Sequence, residues 1–309
     1  MPVGPEAVEA AAERIAGRVR RTPMLELEPG AIGLGFPVAL KLELTQRTGS
    51  FKLRGAFNAL LTAEAPAAGI VAASGGNFGL AAATAAQDLG IPAAIFVPEA
   101  CPAAKAERLR RTAADVHVVG ALYDDSLAAS HEHARATGAL EVHAFDDPAI
   151  VAGQGTCGRE AELDGPALDT VLVGVGGGGL CAGTAAWFGD RARVVAVEPV
   201  RSQAYAAALA AGEPVDVEVG GVAADSLGAR RIGDVPWAVM RERPVASVLV
   251  GDDAIRDAQR RLWGAARVGA EPGGAAALAA LTGGAYVPEP GERVAVIVSG
   301  GNFDPADLA

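Results

Sequence analysis

Primary amines are scarce in this chain. Of its 26 basic residues only Lys41, Lys52 and Lys105 are lysines. Any chemistry that needs a nucleophilic amine therefore has three candidates. Lys52 stands in TGSFKLRGAFNAL, where Thr48 and Ser50 are N-cap types and a helix is expected to follow. An ammonium just inside a helix start is disfavoured by the helix dipole. Held in a partly apolar cleft, it would have a lowered pKa and a nucleophilic amine. A solvated lysine whose stem packs on Phe51 is the ordinary alternative. Lys41, in the alternating ALKLEL, and Lys105, in a charged helix with Arg108, read as ordinary surface positions.

Three loops add anion-binding chemistry. Gly176, Gly177, Gly178 and Gly179 follow a strand-like run and precede Leu180. Glycines let the backbone approach a ligand closely, and successive N–H groups at a helix start suit a phosphate. A tight turn with no ligand is the plain alternative. The same GVGGGG satisfies G-x-G-x-x-G, and Glu198 ends the next strand about where a dinucleotide fold keeps its ribose acid. A nicotinamide-dependent oxidoreductase is thus a rival reading. SGGNFG, from Ser74 to Gly79, offers a hydroxyl, the Asn77 amide and exposed N–H groups, a nest suited to a carboxylate. SGGN, from Ser299 to Asn302, repeats that chemistry. His117, His131, His133 and His143 receive no role; the middle two point to different sides of a helix and make a poor metal pair.

These residues need strands and helices to position them. GIVAAS, AAIFVP, DVHVVG, EVHAF, TVLVGVG, RVVAVEP and RVAVIVSGG read as strands. Their continuous Val/Ile/Ala character implies strands covered on both faces. Helices are expected between them: about Leu80 to Leu89, around Lys105 to Arg111, from near Leu180, Asp252 to Trp263, and Gly274 to Leu281. Repeated β-α-β order implies a mostly parallel, doubly wound α/β fold, and the number of strands implies two lobes. Ligands of such sheets sit at the carboxyl ends of the strands, where all three loops fall.

Composition excludes several classes. The chain has 309 residues, half of them apolar, and a net charge of −11. That is a folding, soluble composition, and its acidity argues against binding nucleic acid. Cys101, Cys157 and Cys181 form no C-x-x-C pair, so a zinc or disulfide framework is not expected and a reducing cytoplasm fits. The N-terminal segment carries acids and no long apolar run, so no signal peptide is expected. The uncharged stretch between Asp169 and Asp190 is broken by the glycine run, which suits a strand, loop and helix better than a membrane span.

Taken together, RTPMLEL, KLELTQRTGSFKLRGAFNAL, ASGGNFG, GIPAAIFVPEACPAAKAERLR, PAIVAGQGT, GVGGGGL, VVAVEP, EPGGAAALAAL and VIVSGGN occur in that order over nearly the whole chain. This series resembles the serine/threonine dehydratase and serine racemase branch of fold type II pyridoxal-phosphate enzymes. The resemblance implies a two-lobed, tryptophan synthase β-like fold. Its large cofactor-binding domain would span 1–66 and 146–309, and its small domain, carrying the substrate-carboxylate loop, 67–145.

The resemblance also implies roles. Lys52 would form the Schiff base with pyridoxal 5′-phosphate, and Phe51 would stack on the ring. Asn77 would bond the ring 3-hydroxyl, Gly176 to Gly179 and Leu180 would bind the phosphate, and Ser299 would face the ring nitrogen. Ser74, Gly75, Gly76, Asn77 and Phe78 would line the substrate side. The implied reaction is dehydration and deamination of L-threonine or L-serine, with Lys52 removing the Cα proton. A β-replacement enzyme and a non-catalytic amino-acid sensor are further alternatives. A homodimer is usual in the resembled family.

The sequence departs from the family at three places. Gly75 stands where the loop usually has Ser or Ala, which disfavours racemisation. Phe78 replaces a His and, with Leu80, alters the pocket wall. Glu198 matches a cation ligand of racemase-like members, but Ala204 stands where its partner Asp would be, so cation binding is expected to be weak or absent. With only a few residues after SGGN, the C-terminal regulatory domain of biosynthetic threonine dehydratases is not expected.

Overall fold

The computed structural model describes residues 3–243 and 245–304. Met1, Pro2, Pro244 and residues 305–309, which fall within the expected N-terminal and large-domain segments, lie outside the described residues. The elements run α1 (Pro5–Ile15), β1 (Met24–Leu27), β2 (Val38–Leu42), α2 (Lys52–Thr62), β3 (Ile70–Ala73), α3 (Asn77–Leu89), β4 (Ala93–Val97), α4 (Ala103–Arg110), β5 (Asp115–Val118), α5 (Tyr123–Thr137), β6 (Leu140–Glu141) and α6 (Pro148–Asp164). They continue with β7 (Thr170–Gly174), α7 (Gly179–Phe188), β8 (Arg193–Pro199), α8 (Ala204–Ala211), α9 (Ala224–Leu227), α10 (Asp234–Arg241), β9 (Ala246–Val250), α11 (Asp252–Ala266), α12 (Pro272–Thr282) and β10 (Val294–Val298).

Two sheets result. The first has the order β1-β2-β10-β7-β8-β9, all parallel except the β1–β2 pair; the second has the order β5-β4-β3-β6 and is parallel throughout. β2, β7 and β10 are buried at every residue, as the apolar runs of β7 and β10 imply; β2 is buried although it carries Lys41. The uncharged stretch after Asp169 folds as β7, the glycine loop and α7. Among the described residues no helix is long and apolar enough to cross a membrane.

Three expectations need correction. Of EVHAF only Glu141 is in a strand, the two-residue edge strand β6 (Leu140–Glu141) paired to Ile70 and Val71. Beyond it the chain leaves the sheet and carries Ala144 and Phe145 toward Lys52. The helix expected from about Leu80 starts at Asn77, so that amide sits in the first turn. Lys41 is no surface residue. β2 lies between β1 and β10, and Lys41 is fully buried. Its ammonium donates to Glu160 at 2.7 Å and to the Thr22 carbonyl at 2.7 Å. Arg54 completes the cluster by bridging Glu43 and Glu160, each at 2.7 Å.

Candidate active site

The loop after β3, the loop after β7 and the start of α2 open onto one cleft of about 430 Å³. Lys52, Ser74, Gly75, Gly76, Asn77, Phe78, Gly176 and Gly177 line it. Phe51, Gly178, Gly179, Leu180 and Ser299 are next to these in sequence or contact but are not part of the lining. Phe51 lies beneath Lys52, whose Nζ is 5.1 Å from the ring centroid. The Phe51 N–H donates to the Ser299 carbonyl at 3.1 Å, which fixes the start of α2 against the end of β10. Phe78 also packs into the core around β3 and β4. Glu198 belongs elsewhere: its two carboxylate oxygens accept the N–H groups of Tyr205 and Ala206, at 2.7 and 2.9 Å, and cap α8. Burial pushes its carboxyl up to about 7, against the effect of those two hydrogen bonds.

Lys52 is the first residue of α2, half-buried at the edge of the cleft. It donates to the Ala144 carbonyl at 3.0 Å, and its Nζ lies 6.0 Å from the centre of the Phe145 ring. Desolvation brings its pKa down to about 8, opposed by the charge of Glu271. An amine so placed is about half neutral at pH 8, which a solvated lysine is not.

The glycine loop has no space for side chains. A Cβ on Gly177 would come within 2.3 Å of the Phe145 ring. One on Gly178 would come within 2.5 Å of Ile232, and its φ of +93° is itself costly for other residues. Among the described residues, the N–H groups from Gly176 to Leu180 donate to no protein acceptor. They stand at the N-terminus of α7, where the helix dipole favours negative charge.

The opposite side of the cleft is set by Ser74 to Asn77. The Ser74 N–H donates to the Phe96 carbonyl at 3.1 Å, continuing the β3–β4 ladder into the loop. Gly75 faces Cys101, and a Cβ there would lie 2.7 Å from the thiol sulfur. The Asn77 amide donates to Glu271 at 2.6 Å and accepts from Asn302 at 2.7 Å. Glu271, 4% exposed, is not singled out by its sequence context; its position before Pro272, as the cap of α12, is the available signal. Lys105, expected at the surface, instead lines the cleft and pairs with Asp225.

A model of the pyridoxal-phosphate-dependent enzymes matches residues 15–300. The chain belongs to that family. It is 35% identical to the L-threonine ammonia-lyase of Geobacter sulfurreducens over 302 residues, 96% of this chain and 75% of that one. Among solved structures it resembles maize serine racemase, with a TM-score of 0.93 and 31% identity over 100% of this chain and 96% of that one. It also resembles a fungal L-serine ammonia-lyase from Rhizomucor miehei, with a TM-score of 0.82 and 26% identity over 94% and 96%. The fold is that of the fold type II members. The site fits the family's cofactor: a low-pKa lysine, a loop of free N–H groups for its phosphate and the Asn77 amide border the same cleft.

Proposed function

We propose that this chain is a pyridoxal-phosphate-dependent ammonia-lyase that converts L-threonine or L-serine to a 2-oxo acid and ammonia. The observation that carries the reading is the meeting, in one cleft, of the Lys52 amine, the glycine loop and the Ser74–Asn77 loop. The N–H groups of Gly176 to Leu180 would hold the phosphate, Lys52 the aldehyde carbon, Asn77 the 3-hydroxyl and Ser299 the ring nitrogen, with Phe51 against the ring. When bound, pyridoxal phosphate supplies an electron sink for charge developing at the substrate Cα. The neutral Ser299 hydroxyl does not force protonation of the ring nitrogen, which tempers that sink and suits β-elimination.

The chain's own groups do the rest. Ser74, Gly75 and Gly76 receive the substrate carboxylate, which orients Cα–H toward Lys52. Once the substrate amine has displaced it from the aldehyde carbon, the freed Lys52 amine, with its pKa near 8, would take that proton as general base while the β-hydroxyl departs as water. Gly75 has no side chain, and Cys101 fills the space beside it, so this loop position presents no hydroxyl to a second face of Cα. Proton chemistry is thereby one-sided, which supports elimination over racemisation. A homodimer working in the cytoplasm belongs to the same proposal.

Purified protein should show an absorption band near about 410 nm with pyridoxal phosphate, lost in Lys52→Ala. It should release 2-oxo acid and ammonia from L-threonine or L-serine. Lys52→Ala should lower turnover by about 10²–10⁴-fold or more. A protein that binds the cofactor but releases no ammonia from either amino acid would overturn the reading.

A further inference from the structure

We propose that Glu271 is a positioning residue that orients the Asn77 amide into the cleft and couples electrostatically to Lys52. This deepens the reading above and rests on the roles it gives to Asn77 and Lys52.

Hydrogen-bond bookkeeping carries the first half. A carboxamide has two N–H donors and one acceptor oxygen. The Arg108 guanidinium donates to Asn302 Oδ1 at 2.6 Å. Asn302 Nδ2 then donates to the Thr48 carbonyl at 2.8 Å and to Asn77 Oδ1 at 2.7 Å, using both its hydrogens. Asn77 Nδ2 donates to Glu271 Oε1 at 2.6 Å. Two amides are therefore aligned head to tail between a guanidinium and a carboxylate. Turning over the Asn77 amide would set oxygen against carboxylate and nitrogen against nitrogen, so its orientation is locked. One N–H of Asn77 is left, and Asn77 lines the cleft. The chain of contacts also accounts for the rest of the SGGN motif. Asn302 is its link to Arg108, and a Cβ on Gly300 would lie 2.0 Å from Glu271 Oε1.

Placement carries the second half and electrostatics supports it: Lys52 lines the same cleft as Asn77, whose amide touches Glu271. The groups facing Glu271 are Asn77 on α3, Asp225 on α9, Lys105 and Arg108 on α4, and Lys52 on α2. Burial pushes the Glu271 carboxyl up to about 7; the Asn77 hydrogen bond, Lys105 and Arg108 oppose this, and Asp225 adds to it. Its charge supports the protonated form of Lys52. Glu271 thus changes charge within the pH range in which Lys52 must act.

The test uses the full chain, with two readouts. One is the pH midpoint of Lys52 labelling by an amine reagent, measured without cofactor. The other is pyridoxal phosphate affinity by absorbance titration. Glu271→Gln keeps an acceptor for Asn77 but removes the charge; it should lower the Lys52 midpoint by about half a unit or more and change cofactor affinity less than about threefold. Glu271→Ala should lower the midpoint similarly and weaken cofactor binding about tenfold, the effect of one charge-assisted hydrogen bond. Asn302→Ala, acting from the other side of Asn77, should weaken binding without moving the midpoint. The proposal is overturned if Glu271→Gln leaves the Lys52 midpoint where it is, or if Glu271→Ala and Asn302→Ala both bind cofactor like the parent. A parent protein that does not take up pyridoxal phosphate at Lys52 would overturn the functional reading instead, and the labelling midpoints would still decide the coupling.

Discussion

Lys52 and Arg54 lie two residues apart on α2, one half-buried in the cleft and one fully buried, and desolvation has opposite outcomes for them. Desolvation disfavours both cations. For Arg54 the charges and hydrogen bonds of Glu43 and Glu160 outweigh it, and the guanidinium is held well above its usual value. For Lys52 only the charge of Glu271 opposes it, and the pKa falls to about 8. The acids repeat the contrast. Burial pushes Glu160 up, but Arg54 and Lys41 bring it below the usual carboxylate range. Glu198 and Glu271, with N–H donors but no cation hydrogen-bonded to them, stay near 7. Burial by itself therefore does not mark a reactive group; burial with incomplete charge pairing does.

The strongest way to break this contrast is to unpair the paired end. Arg54→Met leaves Glu43 and Glu160 buried with one cation, Lys41, and should cost about 3–5 kcal/mol in denaturant unfolding. Next comes the acid that burial keeps protonated. Glu198 has a folded pKa near 7 and an ordinary value of 4.5. Its contribution is fully present below about pH 4.5 and is lost as pH rises through about 7, on the order of 3 kcal/mol in all. Thermal melts between pH 5 and 8 should show this decline, and Glu198→Gln should flatten it.

A smaller effect is expected where shape rather than charge defines the cleft. Gly177→Ala drives a methyl into Phe145 and should weaken cofactor binding by about 1–3 kcal/mol in a titration. Smallest is the partly exposed Lys105–Asp225 pair. Lys105→Ala should change unfolding free energy by less than about 1 kcal/mol, because exposed ion pairs contribute little. A large loss there would mean that cleft-spanning pairs behave like the buried cluster.

Much of this is readable from the sequence, because the signals are local. The glycine run, the apolar strand runs and the lysine at a helix start are each contained within a dozen or so neighbouring residues. What fails depends on distant partners. Lys41 looks exposed because ALKLEL alternates, while the Glu160 that satisfies it lies on α6, far along the chain. Glu271 looks like a simple helix cap, because nothing in EPGG shows that Asn77 will be brought against it. EVHAF has the composition of a strand, but Ala144 and Phe145 are needed at the cleft and leave the sheet.

The place of β10 has a consequence for how the protein is made. Among the described residues it is the last strand in chain order, yet it occupies the interior of its sheet, between β2 and β7. Until it emerges and inserts, those two strands present unpaired edges, the situation in which chains mispair and aggregate. Phe51, at the start of the lysine-bearing helix, is anchored to Ser299 at the end of this strand. The reactive amine therefore reaches its final position only after β10 has been made and inserted, and until then the nucleophile is unassembled.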